Sequence, residues 1–493
     1  MDASSLKKGV AAGTITIEQV LELLLQQIEV NRRLTARVEM LEARLARYEP
    51  PPPKDVGGAG TPTDYSLAAD EQRRRGRRKK QKSARRGRLP TENKLAEATQ
   101  FEDVFPAQAK PRECVLARTR VAWRIIDGRA VRVAYRVHRR EHRSDAPAVP
   151  GLLPRGEYGL EIVVLAAYLV YVVRVSLDQT CVLLQFFCGL PIEKSQVNTL
   201  LDQLAGHWQP DYDALGELVA RAEVVYLDET SWKINSAGCS LWALQSPQHT
   251  VLKFGCRKDD ATLDQLLPPD VFSGIAVSDD AAVYRGRFRQ AQKCWAHLLR
   301  KGFQLALLYP EKRHYQTFAD DLRTVYRGAK RAQQDQRMSA AGREREVVRL
   351  ENRIWEVAAP HQKTWESPST PDERDFSNLV QEIFRLVEDD ELFTFVRHPE
   401  VEPTNNVSER ELRGPALCRK TGRTNKTSRG AHRQSVITSV LRSLQKHLPE
   451  FTLRSVVTEV LTWPHRGLSL FRQQLAKVKS LLAQPPPQLA RCG

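Results

Sequence analysis

The sequence is poor in the features that define several common protein classes. Its 493 residues include 8 cysteines, at 114, 181, 188, 239, 256, 294, 418 and 492, with no C-x-x-C pair among them. Scattered single thiols exclude a disulfide framework or a cysteine-built zinc site, and they read as reduced cytosolic thiols. Long apolar runs are also missing. The longest, Ile162 to Val173, has 12 residues and ends at Arg174, against the roughly 20 that a membrane-spanning helix needs. The start, MDASSLKKGVAAG, has no apolar stretch followed by a cleavage site, so no signal peptide is expected. No Gly-X-Y period, propeller blade or solenoid repeat occurs. Acids are absent from residues 73–88, RRRGRRKKQKSARRGR, which hold 11 basic residues.

What is present describes a globular chain of several domains, at roughly 150 residues each, with 41% hydrophobic and 27% charged residues. The formal charge is +17, and that one tract supplies 11 of it. Concentrated basic charge takes phosphates as its natural partner. Arg73, Arg74, Arg75, Arg77, Arg78, Lys79 and Lys80 are therefore candidate DNA contacts; a solvated linker that only aids solubility is the alternative.

Residues 1–49 carry heptads. With Ile17 at a, the a positions are Ile17, Leu24, Asn31, Val38 and Leu45, and the d positions Val20, Gln27, Leu34, Leu41 and Tyr48. This predicts a coiled-coil helix and a homodimer or higher assembly, with Asn31 suited to a parallel two-stranded pairing; a helix packed on its own chain is the alternative. Pro50 to Pro53 end it, and residues 50–92 form a Pro/Gly-rich, basic linker. Residues 93–150 form a small β element, because Asp127-Gly128 between alternating runs is a strong hairpin signal. Residues 151–215 are helical, and Gly189 and Pro191 between two helical stretches suggest a helix-turn-helix or a plain αα-hairpin.

From 216 to 463 the pattern becomes α/β. Apolar runs Val224–Leu227, Leu241–Leu244, Val251–Phe254 and Ile275–Val277 predict three successive strands and a crossover to a fourth, in a mixed sheet covered by helices. A charged helical stretch occupies about 300–400, and further helices surround a basic loop at 419–434. Residues 464–493 read as a tail.

Two strands end in carboxylates: Asp228 and Glu229 in VVYLDETSW, and Asp279 and Asp280 in GIAVSDDAAVY. A third acid, Glu409, opens a helix in PTNNVSERELR. Carboxylates converging at a sheet edge can hold two hard divalent cations. Strand-end acids also cap helices, and Asn406 to Glu409 fits a capping box.

The strings YLDETSW, SDDAAVYRG, CWAHLLRK and PTNNVSERELR resemble the motif set of the insertion-sequence family 66 transposases of bacteria. The resemblance spans roughly 150–450. It implies a ribonuclease H-like fold with a helical insertion between the second and third catalytic acids. It further implies an Asp-Asp-Glu triad of Asp228, Asp279 and Glu409, with Asp280 the alternative to Asp279 because the family commonly has Asp-Gly-Tyr there. It implies Mg2+ as cofactor, two ions, with Mn2+ the alternative ion and no zinc. Asn405 and Asn406 match the Asn pair before the Glu and are expected to cap its helix and fix the direction of Glu409, shaping the site. Arg410 and Arg413 are phosphate contacts, or Arg410 the partner of a nearby acid. Cys294 and His297 form a C-x-x-H that is expected to be core and site-shaping. Relatives often carry a zinc ribbon in the interval 93–145, which here has only Cys114.

The expected function is a DNA transposase that cleaves transposon ends and joins them to target DNA, cytoplasmic and nucleoid-associated, with no membrane partner. A domesticated DNA-binding or scaffolding protein, and a ribonuclease H-like nuclease that cuts without joining, are the other readings.

Overall fold

The computed structural model describes residues 91–482 apart from residues 236 and 366–369. The heptad helix and the basic tract from Arg73 to Lys80 lie outside the described residues, as do residues 483–493.

A short helix α1 (Thr91–Ala96) leads into a three-stranded sheet of β1 (Gln100–Val104), β2 (Cys114–Ile126) and β3 (Arg129–Arg140), in the order β1-β3-β2. Asp127 and Gly128 take φ of 51° and 79° at the tip between β2 and β3, the double positive φ that a tight hairpin demands. Ala122, Val133, Tyr135, Val137 and Val149 form its core. A glutamate of the next helix, Glu161 on α2 (Leu160–Tyr168), accepts from Arg124 Nε at 2.7 Å and from the Ile125 N–H at 3.1 Å.

Helix α2 runs on as a π-helical turn, Leu169–Val173, which Arg174 closes at φ 69°. Helices α3 (Leu177–Cys188) and α4 (Lys194–Ala220) follow. A reciprocal Ser176/Gln179 capping box starts α3, and Gly189 ends it at φ 67°, where a Cβ would be strained. The helix pair is as expected, but α4 continues unbroken past the expected boundary at 215. Its apolar positions Leu215, Leu218 and Val219 remain buried, so packing carries the helix onward.

The larger sheet contains β4 (Val224–Ile234), β5 (Ala237–Gln245), β6 (Thr250–Cys256), β7 (Ile275–Ser278) and β8 (Gln290–Lys293), with α5 (Asp260–Leu266) between β6 and β7. Its order is β6-β5-β4-β7-β8: β5 is antiparallel to both β4 and β6, and β7 and β8 run parallel to β4. Both faces of β4 are covered. Val225 and Leu227 pack toward the α2 and α4 side, and Val224 and Tyr226 toward the opposite helices, which is why the run is continuous rather than alternating.

That opposite layer is built by α6 (Trp295–Leu308), α7 (Arg313–Gln334), α8 (Ala340–Ala358), α9 (Pro371–Glu388) and α10 (Thr394–Arg397). Then come α11 (Asn406–Lys420), α12 (Ser428–His447), α13 (Leu453–Arg466) and α14 (Leu470–Leu482). Helix α12 seals the β6 edge with a serine ladder. Ser435, Ser439 and Ser443 accept from the N–H groups of Phe254, Leu252 and Thr250 at 3.0, 2.9 and 3.0 Å. Two residues of strand and four of helix advance nearly the same distance, about 6–7 Å, so the two repeats match and the edge cannot pair elsewhere.

The chain after 463 departs from the expected tail. Residues 470–482 form α14, which buries Phe471 and Leu475 against the main core, with Val478 packed beside them. The apolar spacing of that helix outweighs the prolines beyond it.

Candidate active site

Asp228 and Asp279 occupy equivalent positions on neighbouring parallel strands. The β4–β7 ladder pairs Tyr226 with Val277, and each aspartate stands two residues further on. Strand alternation then points both side chains to the same face, on strands about 4.8 Å apart.

Glu409 reaches them from far along the chain, in the first turn of α11. A set of hydrogen bonds fixes that helix to the sheet. Asn405 Nδ2 donates to the carbonyl of Leu227, the residue before Asp228. The Asn405 N–H points to Cys294 Sγ at 3.2 Å, the Trp295 N–H to the Pro403 carbonyl at 3.0 Å, and Gln245 Nε2 to the Val407 carbonyl at 2.9 Å. Asn405 is fully buried. The expectation that the Asn pair caps the helix is corrected: Asn405 occupies the N-cap position but makes no side-chain cap. Its Nδ2 is directed to the β4 carbonyl, and that orientation leaves Oδ1, the atom that would accept from a helix N–H, buried without a partner. Nor is the capping box formed: Glu409 Oε1 is buried without a hydrogen-bond partner.

The carboxylates load one another. Burial, then the charges of Asp279 and Glu229, and last that of Glu409, push the Asp228 carboxyl up to about 8 from its ordinary 3.8, although the Glu229 N–H donates to it at 2.8 Å. Asp279, Glu229 and Glu409 are therefore all within electrostatic reach of Asp228, behind the larger effect of burial.

The expectation that both strands end in their carboxylates is corrected for the first: β4 runs on to Ile234 in its ladder with β5, which leaves Asp228 and Glu229 mid-strand, whereas Asp279 and Asp280 directly follow β7. The second acid of each doublet is occupied. Glu229 receives the Tyr284 hydroxyl and pairs with Lys258. Asp280 pairs with Arg285 at 2.8 Å and with Arg385 of α9 at 2.6 Å. These partners, Lys258, Tyr284, Arg285 and Arg385, were missed at the sequence level. Tyr284 and Arg285 had a signal, lying inside SDDAAVYRG beside the acids.

Cys294 and Trp295 are buried and start α6. His297 Nδ1 lies 3.9 Å from Glu409 Oε1. Asn406 is exposed at the start of α11. Arg410 and Arg413 are exposed on α11, and Arg410 Nε turns back to the Asn406 carbonyl at 3.2 Å rather than to an acid. A cleft lined by Asp279, Arg285, His297, Lys301 and Arg385 opens beside the acids. The loop after α11 is tied to β4 beyond Asp228: Trp232 Nε1 donates to Asn425 Oδ1 at 2.8 Å, and Arg419 Nη1 to the Ser231 carbonyl at 2.7 Å.

A family model described as Transposase IS66 family matches residues 155–433, more than half of the chain and the whole span from α2 to the third acid. The chain belongs to the IS66 family of transposases. No curated protein matches it. Membership makes a transposase-type function and DNA as a partner the coarse assignment, and the family's chemistry generally uses divalent metal. The donor set fits such a cation: Asp228 has no basic partner among the ion pairs of the described residues, Asp279 and Glu409 act on it electrostatically, and a buried carboxylate oxygen of Glu409 has no hydrogen-bond partner. Among the described residues, no helix is long and apolar enough to cross a membrane.

Proposed function

We propose that the chain is a metal-dependent DNA transposase with Asp228, Asp279 and Glu409 as its catalytic acids, on a ribonuclease H-like sheet. The sheet order, with one antiparallel strand pair flanking a parallel trio and acids in the middle of β4 and directly after β7, supports that fold. The observation that carries the reading is geometric: the β4–β7 register sets Asp228 beside Asp279, and the Asn405 bond to the Leu227 carbonyl holds the helix of Glu409 against them, although these acids lie 51 and 181 residues from Asp228 in sequence. Asp279 is favoured over Asp280 because two arginines already neutralise Asp280.

In this reading the three carboxylates hold two Mg2+ ions. When bound, such ions supply activation of an attacking oxygen and stabilisation of a leaving one. The protein supplies placement. Asn405 sets the height of Glu409 against Asp228. Arg285 and Lys301 in the cleft, and exposed Arg410, Arg413, Arg423 and Lys426 around α11 and its loop, take the phosphates of transposon end and target. Hydrolysis frees a 3′-hydroxyl, which attacks a target phosphodiester without any covalent protein intermediate. The α3–α4 pair is the candidate end-reading element, and the heptad helix the candidate for holding two protomers, and so two ends, together.

The test is cleavage and joining of cognate ends in Mg2+. Asp228→Asn is expected to lose both while still shifting end DNA in a binding assay. Cleavage retained by this variant would refute the assignment; cuts by the native chain without joined products would point to a nuclease.

A further inference from the structure

The third acid faces a second, chemically different set of donors. Cys294, His297 and Glu409 each offer one ligand atom within 4.8 Å of the other two. Two of those atoms are orphans: His297 Nδ1 and Glu409 Oε1 are both buried and neither has a hydrogen-bond partner. Their separation of 3.9 Å is too long for a hydrogen bond. A tetrahedron whose centre lies about 2 Å from nitrogen and oxygen has an edge of about 3.3 Å, so the two atoms need to close by roughly half an ångström to share one ion. Buried polar atoms are seldom left unpaired, so a pair aimed at one point, with a sulfur beside it, asks for a cation.

We propose that Cys294, His297 and Glu409 form a three-ligand site for a divalent transition metal of the zinc class. A thiol and an imidazole discriminate against magnesium, which takes oxygen ligands, and in favour of zinc-like ions. The site is pre-arranged by the fold. Cys294 and His297 are held one turn apart where α6 begins, with the His297 N–H bonded to the Cys294 carbonyl at 3.1 Å. The Asn405 N–H at 3.2 Å from Cys294 Sγ supplies the outer hydrogen bond that orients a metal-bound sulfur. On binding, the thiol proton leaves to solvent as sulfur takes the metal, and one position of a four-coordinate shell stays open. Glu409 is then shared: a zinc-class ion here withdraws it from Asp228 and Asp279. This departs from the sequence expectation of no zinc, which rested on two ligands only; the third, 112 residues after His297, is supplied by the fold. The inference rests on these side chains and not on the transposase reading.

Cobalt(II), which reports thiolate ligation by a near-ultraviolet charge-transfer band, is the probe. The chelator-treated full-length protein is titrated with Co2+. One equivalent should raise that band together with the visible absorption of a tetrahedral site. Cys294→Ser should abolish the band. His297→Asn, which leaves the sulfur in place, should weaken Co2+ binding at least ~10-fold, as loss of a ligand exceeds loss of an outer partner. Cys418→Ser should change nothing, and far-ultraviolet circular dichroism checks that each variant is folded. A native protein with no thiolate band, a band surviving Cys294→Ser, or undiminished affinity in His297→Asn overturns the site. Because the readout is spectroscopic, a missing band leaves the transposase reading standing. Cleavage by Asp228→Asn would likewise leave the cobalt result standing.

Discussion

The acid doublets of β4 and β7 make an instructive pair. Each strand delivers two consecutive acids to the same level of the sheet, and in each doublet the second acid is neutralised while the first is not. Glu229 has Lys258 and Tyr284, and Asp280 has Arg285 and Arg385. Among the ion pairs of the described residues neither Asp228 nor Asp279 has such a cation, and Asp228 is pushed upward by burial first and then by the charges around it. Helix α11 repeats the pattern: Glu411 is paired with Arg442 at 3.1 Å, whereas Glu409 faces a histidine 3.9 Å away. The strands differ in where the neutralising charges come from. At β4 they are local to the sheet, from the loop after β6 and the turn after β7. At β7 one arginine comes from the helical insertion, so Asp280 joins that layer to the sheet. A neutralised acid is structural, and a carboxylate left bare in a crowd of carboxylates is poised for a cation.

The sharpest way to break this comparison is to exchange the roles within a doublet. Asp279→Asn should reduce Mg2+-dependent cleavage to background with an unchanged unfolding midpoint. Asp280→Asn should leave cleavage measurable and lower stability by roughly 1–3 kcal/mol, between the ranges for exposed and buried ion pairs, because Arg385 and Arg285 lose their shared partner. Parallel cleavage and thermal-melt measurements decide, and the opposite pattern would make Asp280 the second catalytic acid.

Next in size is the clamp that brings the third acid in. Asn405→Ala removes the donor to the Leu227 carbonyl without touching any carboxylate. Cleavage should fall about 10- to 100-fold, the range expected when a metal ligand loses its outer support or shifts by about an ångström. The Mg2+ concentration for half-maximal activity should rise as well. An unchanged Mg2+ dependence would mean that α11 is held by its backbone contacts alone.

Much of this was legible in the sequence, and the remainder has physical reasons for being hidden. The apolar runs of β4 to β7 announced themselves because both faces are buried. β8, QAQK, did not, although it completes the sheet: its Gln292 is buried because Nε2 donates to the Leu392 carbonyl at 3.1 Å and Oε1 accepts from the Phe395 N–H at 3.0 Å. A strand stabilised by side-chain hydrogen bonds to a segment 100 residues away leaves no period in the sequence. The three acids were found through motif strings, since spacing alone left capping open. What no string could tell was which member of each doublet is neutralised. That depends on Arg385 and Lys258, which are brought in by tertiary folding. The role of Asn405 was misjudged for the same reason: a helix N-cap can be read locally, but a bond to β4 cannot.

The smallest effect tests the electrostatic side of the comparison, and its sign is determined. Asp228 stands near 3.8 in an unfolded chain and about 8 in the folded, metal-free protein, so the folded state binds this proton more tightly. Its contribution to stability is fully present below the unfolded value and is lost as pH rises through about 8. With chelator present, the native protein should therefore lose stability across that interval relative to Asp228→Asn, whose amide carries no charge to repel Asp279 and Glu409. The gap between the two melting temperatures should widen up to about pH 8 and level off above it. Mg2+ should close the gap by stabilising the native chain alone, since a bound cation removes the repulsion. A gap that is constant with pH would mean that neither burial nor the neighbouring acids raise the Asp228 carboxyl.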